Sequence, residues 1–361
     1  MKLDKEQTLF LEKILNTPSP AGMESEVALL LGRRIKEKTS VVPEIDVHGN
    51  LHAICDCGSD VTVMIEGHGD EIGYIVEYVD AKGFVYLQAV GGVTVPLTAA
   101  ERLVFLTKNG PVNGVVGVRP PHLMNADERR KVAGDNLRNM PCDIGAKTKE
   151  EALSLVSIGD LAVVDSGCRP LAGSRISARG LDDRIGSFAM CEAFIKLVSG
   201  DKKPRVNVHY VSSVAEELGL VGARLAGSSA RPAMAICCDV GFATDANGDD
   251  SKTVGDISLG KGPAIAVGPI YHRNLTDHIR NAAKTLGLPL QERAVPKGAG
   301  NNAWALKLDG GSAVAQIAIP IRYMHSPVEV ADLDDVAGVI DIVAEAVAGL
   351  TPDFPLLPEQ P

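Results

Sequence analysis

The chain has 361 residues, of which 45% are apolar and 4% aromatic, and it carries a formal net charge of −10. A chain longer than about 250–300 residues usually divides into two domains, and this composition is typical of a close-packed α/β protein. The acidic balance argues against a nucleic-acid-binding surface.

The N-terminal segment and the cysteines bear on the cellular compartment. The first twenty residues lack the continuous apolar core of a signal peptide, and no stretch reaches the length of a membrane-spanning helix. The seven cysteines are odd in number and show no CxxC spacing. We therefore expect reduced thiols in a cytoplasmic protein, with no membrane partner.

The chain begins with helical patterns and then changes to strands. An amphipathic pattern predicts a helix that ends at TPSPAG, and residues 24–38 predict a second helix. Strands over 41–47 and 51–55 are joined by a hairpin turn at His48-Gly49-Asn50. A short apolar strand over 61–66 then leads into GHGDEIG.

The segment from about residue 74 to 164 differs from its flanks. Strand-sized pieces alternate with turns, and the only helical patterns are a polar stretch at 125–138 and a short one at 149–155. We interpret this segment as a β-rich insert over 73–165. It interrupts an α/β domain formed by 1–72 and 166–361.

Alternating strands and helices return after residue 181. Several of the strands are continuous apolar runs, as in a sheet that is covered on both faces. The predicted helices cover 184–198, 219–229, 274–286, 302–308 and 332–349, and the predicted strands cover 206–214, 233–239, 264–267, 290–295 and 313–319.

Ionisable residues gather where the predicted strands of the α/β part end. In open α/β sheets, ligands bind outside the carboxyl ends of the strands. Two histidines and several carboxylates brought together at this edge would form a nitrogen and oxygen metal site. The candidates are His68, Asp70, Asp182, Asp183, Glu216, Glu217, Asp239 and His325.

Each candidate also has an ordinary structural interpretation. Asp182 could cap the helix over 184–198, Asp239 could lie in a turn, and the Glu216-Glu217 pair could begin the next helix. A single histidine is more often an ordinary residue than a ligand. The shared position at strand ends favours the metal site over these separate explanations.

The carboxylates at 216 and 217 follow an apolar strand directly. Neighbouring residues of an extended chain point in different directions, so one glutamate can bind a metal while the other deprotonates a water. Asp70 lies two residues after His68 and could orient its imidazole. A bridging aspartate flanked by histidines and carboxylates is the composition of a two-metal hydrolytic centre.

Five segments in these regions occur in an order that resembles family forty-two (M42) of the metallopeptidases, the glutamyl-aminopeptidase-like or tetrahedral (TET) aminopeptidases. They are HGDEIGYIV, LDDRIGSF, VAEELGLVGA, CDVG and RYMHSPVE. The insert resembles the family as well, in GVVGVRPPHL and DIGAKTKEEA. The resemblance extends over about residues 5–350.

The resemblance implies an α/β/α zinc-exopeptidase-like catalytic domain with a mixed sheet and an inserted β-barrel-like dimerisation domain. It implies an aminopeptidase that hydrolyses N-terminal residues from peptides with two divalent ions, namely zinc, with cobalt or manganese as alternatives. It further implies homodimers that assemble into a tetrahedral dodecamer.

The resemblance also assigns roles to individual residues. By analogy, His68 and Asp239 hold one ion, Glu217 and His325 hold the other, and Asp182 bridges the two. The remaining roles by analogy are general base for Glu216, supporting acid for Asp70 and a cis peptide between Asp182 and Asp183.

One segment departs from the family pattern. Relatives commonly read Gly-Thr-Asp-Ala where this chain reads Gly300-Asn301-Asn302-Ala303. The acid is lost, so a substrate or amine contact that is charged in relatives would be neutral here.

Two other functions remain open. Paired carboxylates also serve glycoside hydrolases, although those need no histidines and the few aromatic residues offer little sugar stacking. The altered loop at 300–303 also leaves open an inactive metal-binding assembly protein.

Overall fold

The computed structural model describes residues 2–125, 136–246, 250–298 and 300–357. Most of the polar stretch at 125–138 therefore lies outside the described residues. The helices are α1 Lys5–Asn16, α2 Ser25–Lys38, α3 Lys149–Leu155, α4 Leu181–Ser199, α5 Val221–Ala230, α6 Ser251–Val254, α7 Arg273–Leu286, α8 Asn302–Asp309 and α9 Leu333–Gly349.

The strands fall into a large mixed sheet and a closed barrel. The sheet contains β1 Glu44–Ile45, β2 Leu51–Cys55, β3 Thr62–His68, β10 Arg169–Pro170, β11 Arg175–Ala178, β12 Asn207–Ser213, β13 Met234–Phe242, β14 Ala264–Val267, β15 Gln291–Ala294, β16 Ala313–Arg322 and β17 Glu329–Asp332. The barrel contains β4 Gly73–Val79, β5 Val85–Val90, β6 Arg102–Thr107, β7 Gly110–Val116, β8 Cys142–Asp143 and β9 Leu161–Val164.

The large sheet has helices on both faces. Its strand order is β1-β2-β12-β3-β13-β16-β17-β11-β10, and β14 and β15 pair beside β16. Side chains alternate along β3, so that Val63 and Ile65 join the core under α4 and α9 while Met64 joins the core under α5 and α8. The mixed α/β fold with a covered sheet is confirmed.

Six antiparallel strands close the barrel in the order β4-β5-β8-β7-β6-β9. Its core is separate from the two cores of the sheet and includes Val76, Leu87 and Phe105. The chain enters this barrel directly after β3 and leaves it before β10. The β-barrel-like character predicted for this part of the chain is therefore confirmed.

The central strands of the large sheet are parallel and end at one edge. β12 runs parallel to β3 and pairs Ser213 with His68, and β13 runs parallel to both β3 and β16. Carboxyl ends of parallel strands lie together, so side chains that follow them are placed near one another. This edge carries the site described below.

Several element bounds differ from the sequence predictions. The strand predicted over 41–47 is reduced to β1, whose two residues are both exposed. The helix predicted over 219–229 begins later, at Val221, after a tight turn at Glu216–Leu218. β17 was not predicted because its buried Glu329 and Asp332 interrupt the apolar pattern.

Among the described residues, no helix combines the length and the hydrophobicity that crossing a membrane requires.

Candidate metal centre

Two clusters of side chains that could hold a metal ion meet at the carboxyl edge of the parallel strands. The first cluster is His68, Asp183 and Asp239, and the second cluster is Asp182, Glu217 and His325. Within each cluster one ligand atom per residue lies within 4.8 Å of the others. The five residues predicted as metal ligands are thus brought together from distant parts of the sequence.

The Asp182 carboxylate lies between the two histidines. Its Oδ1 is 3.2 Å from Nε2 of His68, and its Oδ2 is 3.2 Å from Nε2 of His325. One carboxylate therefore contacts both clusters, one oxygen to each. This is the arrangement that a bridging ligand requires.

The backbone around Asp182 departs from regular helix geometry. Asp182 and Asp183 have non-helical dihedral angles at the beginning of α4, and the peptide bond between them is cis, as the resemblance implies. Their side chains point into different clusters. Two consecutive residues can thus serve both halves of the centre.

Glu216 and Glu217 lie side by side in the tight turn that follows β12. An Oε2 of Glu216 is 3.9 Å from Nε2 of His68, and an Oε1 of Glu217 is 3.4 Å from Nε2 of His325. The two neighbours therefore face different clusters, as predicted for a pair with separate tasks.

Asp70 connects the turn to the first histidine. Its Oδ1 accepts a hydrogen bond from the N–H of Glu216 at 3.0 Å, and its Oδ2 accepts one from the N–H of Glu217 at 3.2 Å. Oδ1 also lies 3.3 Å from Nδ1 of His68. Because Asp70 is fully buried, this carboxylate fixes the turn relative to the imidazole.

The charges of the site favour a cation. Burial raises the pKa of Glu216 to about 9 and the pKa of Asp239 to about 8, and neighbouring carboxylates add to both shifts. Such a group of buried carboxylates is stabilised in its ionised form by a divalent ion. The nitrogen and oxygen donors, together with an unpartnered buried Oδ1 of Asp183, fit such an ion.

The carboxylates of the site also change the pKa of His325. Hydrogen bonds to Asp182 and then Glu217 raise the pKa of His325 to about 11. Burial opposes the ionisation of Asp182, but hydrogen bonds from His325 and His68 outweigh it and lower the pKa of Asp182 to about 2. Because a ligand must lose its proton to bind a metal, binding of an ion at these side chains would release protons.

The sequence did not identify Glu329 as a residue of the site. Its Oε2 accepts from the N–H of Asp182 at 3.1 Å, and its Oε1 accepts from the N–H of His325 at 2.9 Å. One buried carboxylate thus holds the backbone of two members of the second cluster. The only signal in the sequence is its place in RYMHSPVE, four residues after His325.

Asp183 is one of the candidates identified from the sequence, but no role could be assigned to it there. Its Oδ2 accepts a hydrogen bond from the N–H of His68 at 3.3 Å, and its side chain is fully buried beside Asp239. It therefore supports the end of β3 where the first histidine begins the site.

The amide that replaces the family's acid does not lie on the cleft wall. Nδ2 of Asn302 donates to Oε1 of Glu66 at 2.7 Å and to Oγ of Ser213 at 3.0 Å, beneath the cleft. Its neighbour Asn301 lines the cleft. The expectation that position 302 changes a direct substrate contact is therefore wrong, because this side chain is used to satisfy a buried carboxylate.

An open cleft of about 660 Å³ gives access to the two clusters. Glu216, Glu217, Asp182, Asp239 and His325 line one part of it. The other part combines apolar and polar side chains, namely Leu220, Val240, Phe242, Met324, Arg293, Asn301 and Gln316. This volume lies within the range of about 300–1,000 Å³ that is usual for ligand-binding clefts.

Sequence comparison supports the resemblance seen in the motifs. A sequence profile described as M42 glutamyl aminopeptidase matches residues 49–342. A lysyl aminopeptidase of Pyrococcus furiosus is 35% identical over 349 residues, which cover 95% of this chain and 98% of that protein.

Comparison with solved structures also supports the family resemblance. A TET aminopeptidase from a marine sediment archaeon of the Thaumarchaeota has a TM-score of 0.90 at 27% identity and covers 96% of this chain and 98% of its own. The Pyrococcus horikoshii TET1 peptidase has a TM-score of 0.84 at 29% identity and covers 95% of this chain and 100% of its own. The chain belongs to the M42 glutamyl aminopeptidase family and is a metal-dependent aminopeptidase.

Proposed function

We propose that this enzyme removes N-terminal residues from peptides at a centre of two divalent ions, with Glu216 as the general base. The observation that carries the proposal is the Asp182 carboxylate, which lies 3.2 Å from an imidazole nitrogen on each side. His68 and Asp239 would hold one ion, and Glu217 and His325 would hold the other. Asp182 would be shared by both.

When bound, the two ions would act as Lewis acids toward the scissile carbonyl and the attacking water. Glu216 would accept a proton from this water and later donate it to the leaving amine. Asp70 holds the backbone of Glu216 and so sets where the base points. The donor set suits zinc, and cobalt or manganese would also be accepted.

Selection for the peptide N-terminus would follow from a contact of the free α-amino group beside one of the two ions. Glu216, Glu217 and Asp239 line the cleft around the proposed centre and place acceptor oxygens there. An internal peptide bond has no free amino group to make this contact. This supports exopeptidase action rather than endopeptidase action.

We also propose that the insert over 73–165, flanked by the catalytic parts 1–72 and 166–361, is a dimerisation domain. Exposed apolar side chains on it support this function, among them Tyr78, Val115 and Leu123 with 51%, 48% and 64% exposure. The TET1 peptidase of Pyrococcus horikoshii can form a tetrahedron or a large octahedral shell. A tetrahedral dodecamer is the corresponding proposal here.

The proposed location is the cytoplasm. All seven cysteines are free thiols, and Cys142, Cys191, Cys237 and Cys238 are buried. Free thiols are typical of a reducing compartment.

The variant Glu216→Gln tests the general base. The amide keeps the shape of the side chain but cannot accept the proton, so we expect kcat on aminoacyl-p-nitroanilides to fall about 10²–10⁴-fold. Zinc stoichiometry, measured on the same protein, should remain two per chain. Glu37→Gln, at an exposed position of α2, serves as the control with unchanged kcat.

A matched variant separates the two glutamates. Glu217→Gln should lower zinc affinity because it removes a ligand, whereas Glu216→Gln should leave that affinity nearly unchanged. Peptidase activity at the wild-type level in Glu216→Gln would show that the base is assigned to the wrong residue.

A further inference from the structure

The barrel touches the metal centre through a turn of two glycines. Gly91 and Gly92 directly follow β5, and Gly92 lines the cleft. Nδ1 of His325 lies 2.9 Å from the carbonyl oxygen of Gly92. A carbonyl oxygen can only accept, so Nδ1 is the nitrogen that carries the proton in this hydrogen bond.

This hydrogen bond determines what the other ring nitrogen can do. With the proton of a neutral imidazole on Nδ1, the lone pair is on Nε2. Nε2 is the nitrogen that faces Asp182 at 3.2 Å and Glu217 at 3.4 Å. The Gly92 carbonyl therefore fixes both the tautomer and the ring orientation that a metal ligand needs here.

The turn approaches the second cluster too closely for any larger residue. A Cβ atom on Gly92 would lie 2.5 Å from Nδ1 and 2.7 Å from Cε1 of His325. Gly91 has a φ of +78°, and a Cβ atom there would lie 2.8 Å from Cγ2 of Ile72 and 3.1 Å from both Cβ and Oε2 of Glu217. Two glycines thus allow the backbone to contact two members of the second cluster at once.

The turn is fixed to the loop of His325 by a further contact. The N–H of Thr94 donates to the carbonyl oxygen of His325 at 3.4 Å. The first cluster is held differently, since Nδ1 of His68 contacts the backbone oxygen of Asp70 at 3.2 Å and its carboxylate at 3.3 Å. The supporting contacts of the two histidines therefore come from different parts of the fold.

We propose that the Gly91-Gly92 turn is a positioning element for one of the two ions, the one held by Glu217 and His325. This inference relies on the ligand assignment of the proposed function. The insert thereby forms part of the active centre, in addition to any role in self-association. The ion at His68 and Asp239 would share only Asp182 with the ion that the turn positions.

Zinc titration of the metal-stripped protein by calorimetry tests the inference. We expect two ions per wild-type chain. In Gly92→Ala one ion should bind with wild-type affinity and the other about 10–100-fold more weakly, since removal of a partner that orients a ligand has effects of this size. Gly91→Ala should weaken the same ion.

Gly145→Ala is the matched control. Gly145 lies in the same insert with a φ of +83°, and a Cβ atom there would have nothing within 4 Å. The substitution brings backbone strain comparable with that of Gly91→Ala but no contact with the centre, so both ions should bind as in the wild type. A general loss of barrel stability would instead affect both variants alike.

Gly92→Ala with both affinities at the wild-type value would overturn the inference and leave the two-ion proposal standing. A wild-type chain that binds fewer than two ions would overturn the proposed function itself. If Gly92→Ala does not fold, a crystal structure of the zinc-loaded wild type decides. Zinc on Nε2 of His325 with Nδ1 at the Gly92 carbonyl supports the inference, and zinc on Nδ1 refutes it.

Discussion

Substitution of Asp70 by asparagine should slow catalysis although it replaces neither a proposed ligand nor the proposed base. The Asp70 carboxylate accepts hydrogen bonds from the N–H groups of Glu216 and Glu217 at 3.0 and 3.2 Å. An asparagine side chain has the same size but only one oxygen. In Asp70→Asn one of the two N–H groups therefore faces an amide NH₂ instead of an acceptor.

The size of the effect follows from the lost interaction. A hydrogen bond to a charged group contributes about 1.5–3 kcal/mol. Because Asp70 is fully buried, water cannot replace the missing acceptor. If displacement of the turn removes this much stabilisation of the transition state, kcat/KM falls about 10- to 150-fold, since each 1.36 kcal/mol corresponds to a factor of ten.

The assay is steady-state hydrolysis of a panel of aminoacyl-p-nitroanilides, with zinc stoichiometry measured in parallel. Asp160→Asn is the matched control. The Asp160 carboxylate also accepts a hydrogen bond from a backbone N–H, that of Ser157 at 2.7 Å. This contact lies in the insert and involves no residue of the two clusters. It should keep wild-type kinetics. An Asp70→Asn enzyme within about twofold of wild-type kcat/KM would refute the claim that this carboxylate positions the turn.

Two further predictions concern pH and metal. Burial, and then the neighbouring His52, lower the pKa of His209 from its ordinary 6.5 to about 4. Between pH 6.5 and 4 the unfolded chain binds a proton that the folded chain does not, so the free energy of unfolding should fall by about 3 kcal/mol as pH drops through this window. Urea denaturation of the wild type and of His209→Gln at pH 7 and pH 4.5 should show a smaller loss for the variant, and equal losses would contradict the assignment. Chelation with EDTA should abolish hydrolysis of aminoacyl-p-nitroanilides and zinc, cobalt or manganese should restore it, whereas chelator-resistant activity on carboxymethylcellulose would favour a glycoside hydrolase.

The position of the centre could be predicted from the sequence because it follows from sheet topology. His68, Asp239 and the Glu216-Glu217 pair each lie in or directly after an apolar strand. Parallel strands end at one edge, so these side chains had to converge. No knowledge of the exact packing was needed for that inference.

The supporting residues could not be predicted in the same way. Glu329 is buried because it accepts backbone N–H groups of Asp182 and His325, a contact between residues 147 positions apart in one case. Gly92 contacts His325 across 233 positions. Neither the contact of Glu329 with Asp182 nor that of Gly92 with His325 leaves a periodic or local pattern, so only the folded structure reveals them.

Asn302 shows what a sequence motif alone cannot reveal. The difference from relatives was visible in the sequence, but its consequence depends on which way the side chain points. In the structure the amide donates to buried Glu66 rather than into the cleft. A motif thus identifies a changed position more reliably than it identifies what the change does.

The two imidazoles that face the Asp182 carboxylate come from residues 68 and 325, on opposite sides of the insert in the sequence. A cut in the polypeptide anywhere between these residues would leave one imidazole on each fragment. On the proposed assignment neither fragment alone could form the shared centre, so we expect each fragment, once separated, to be inactive.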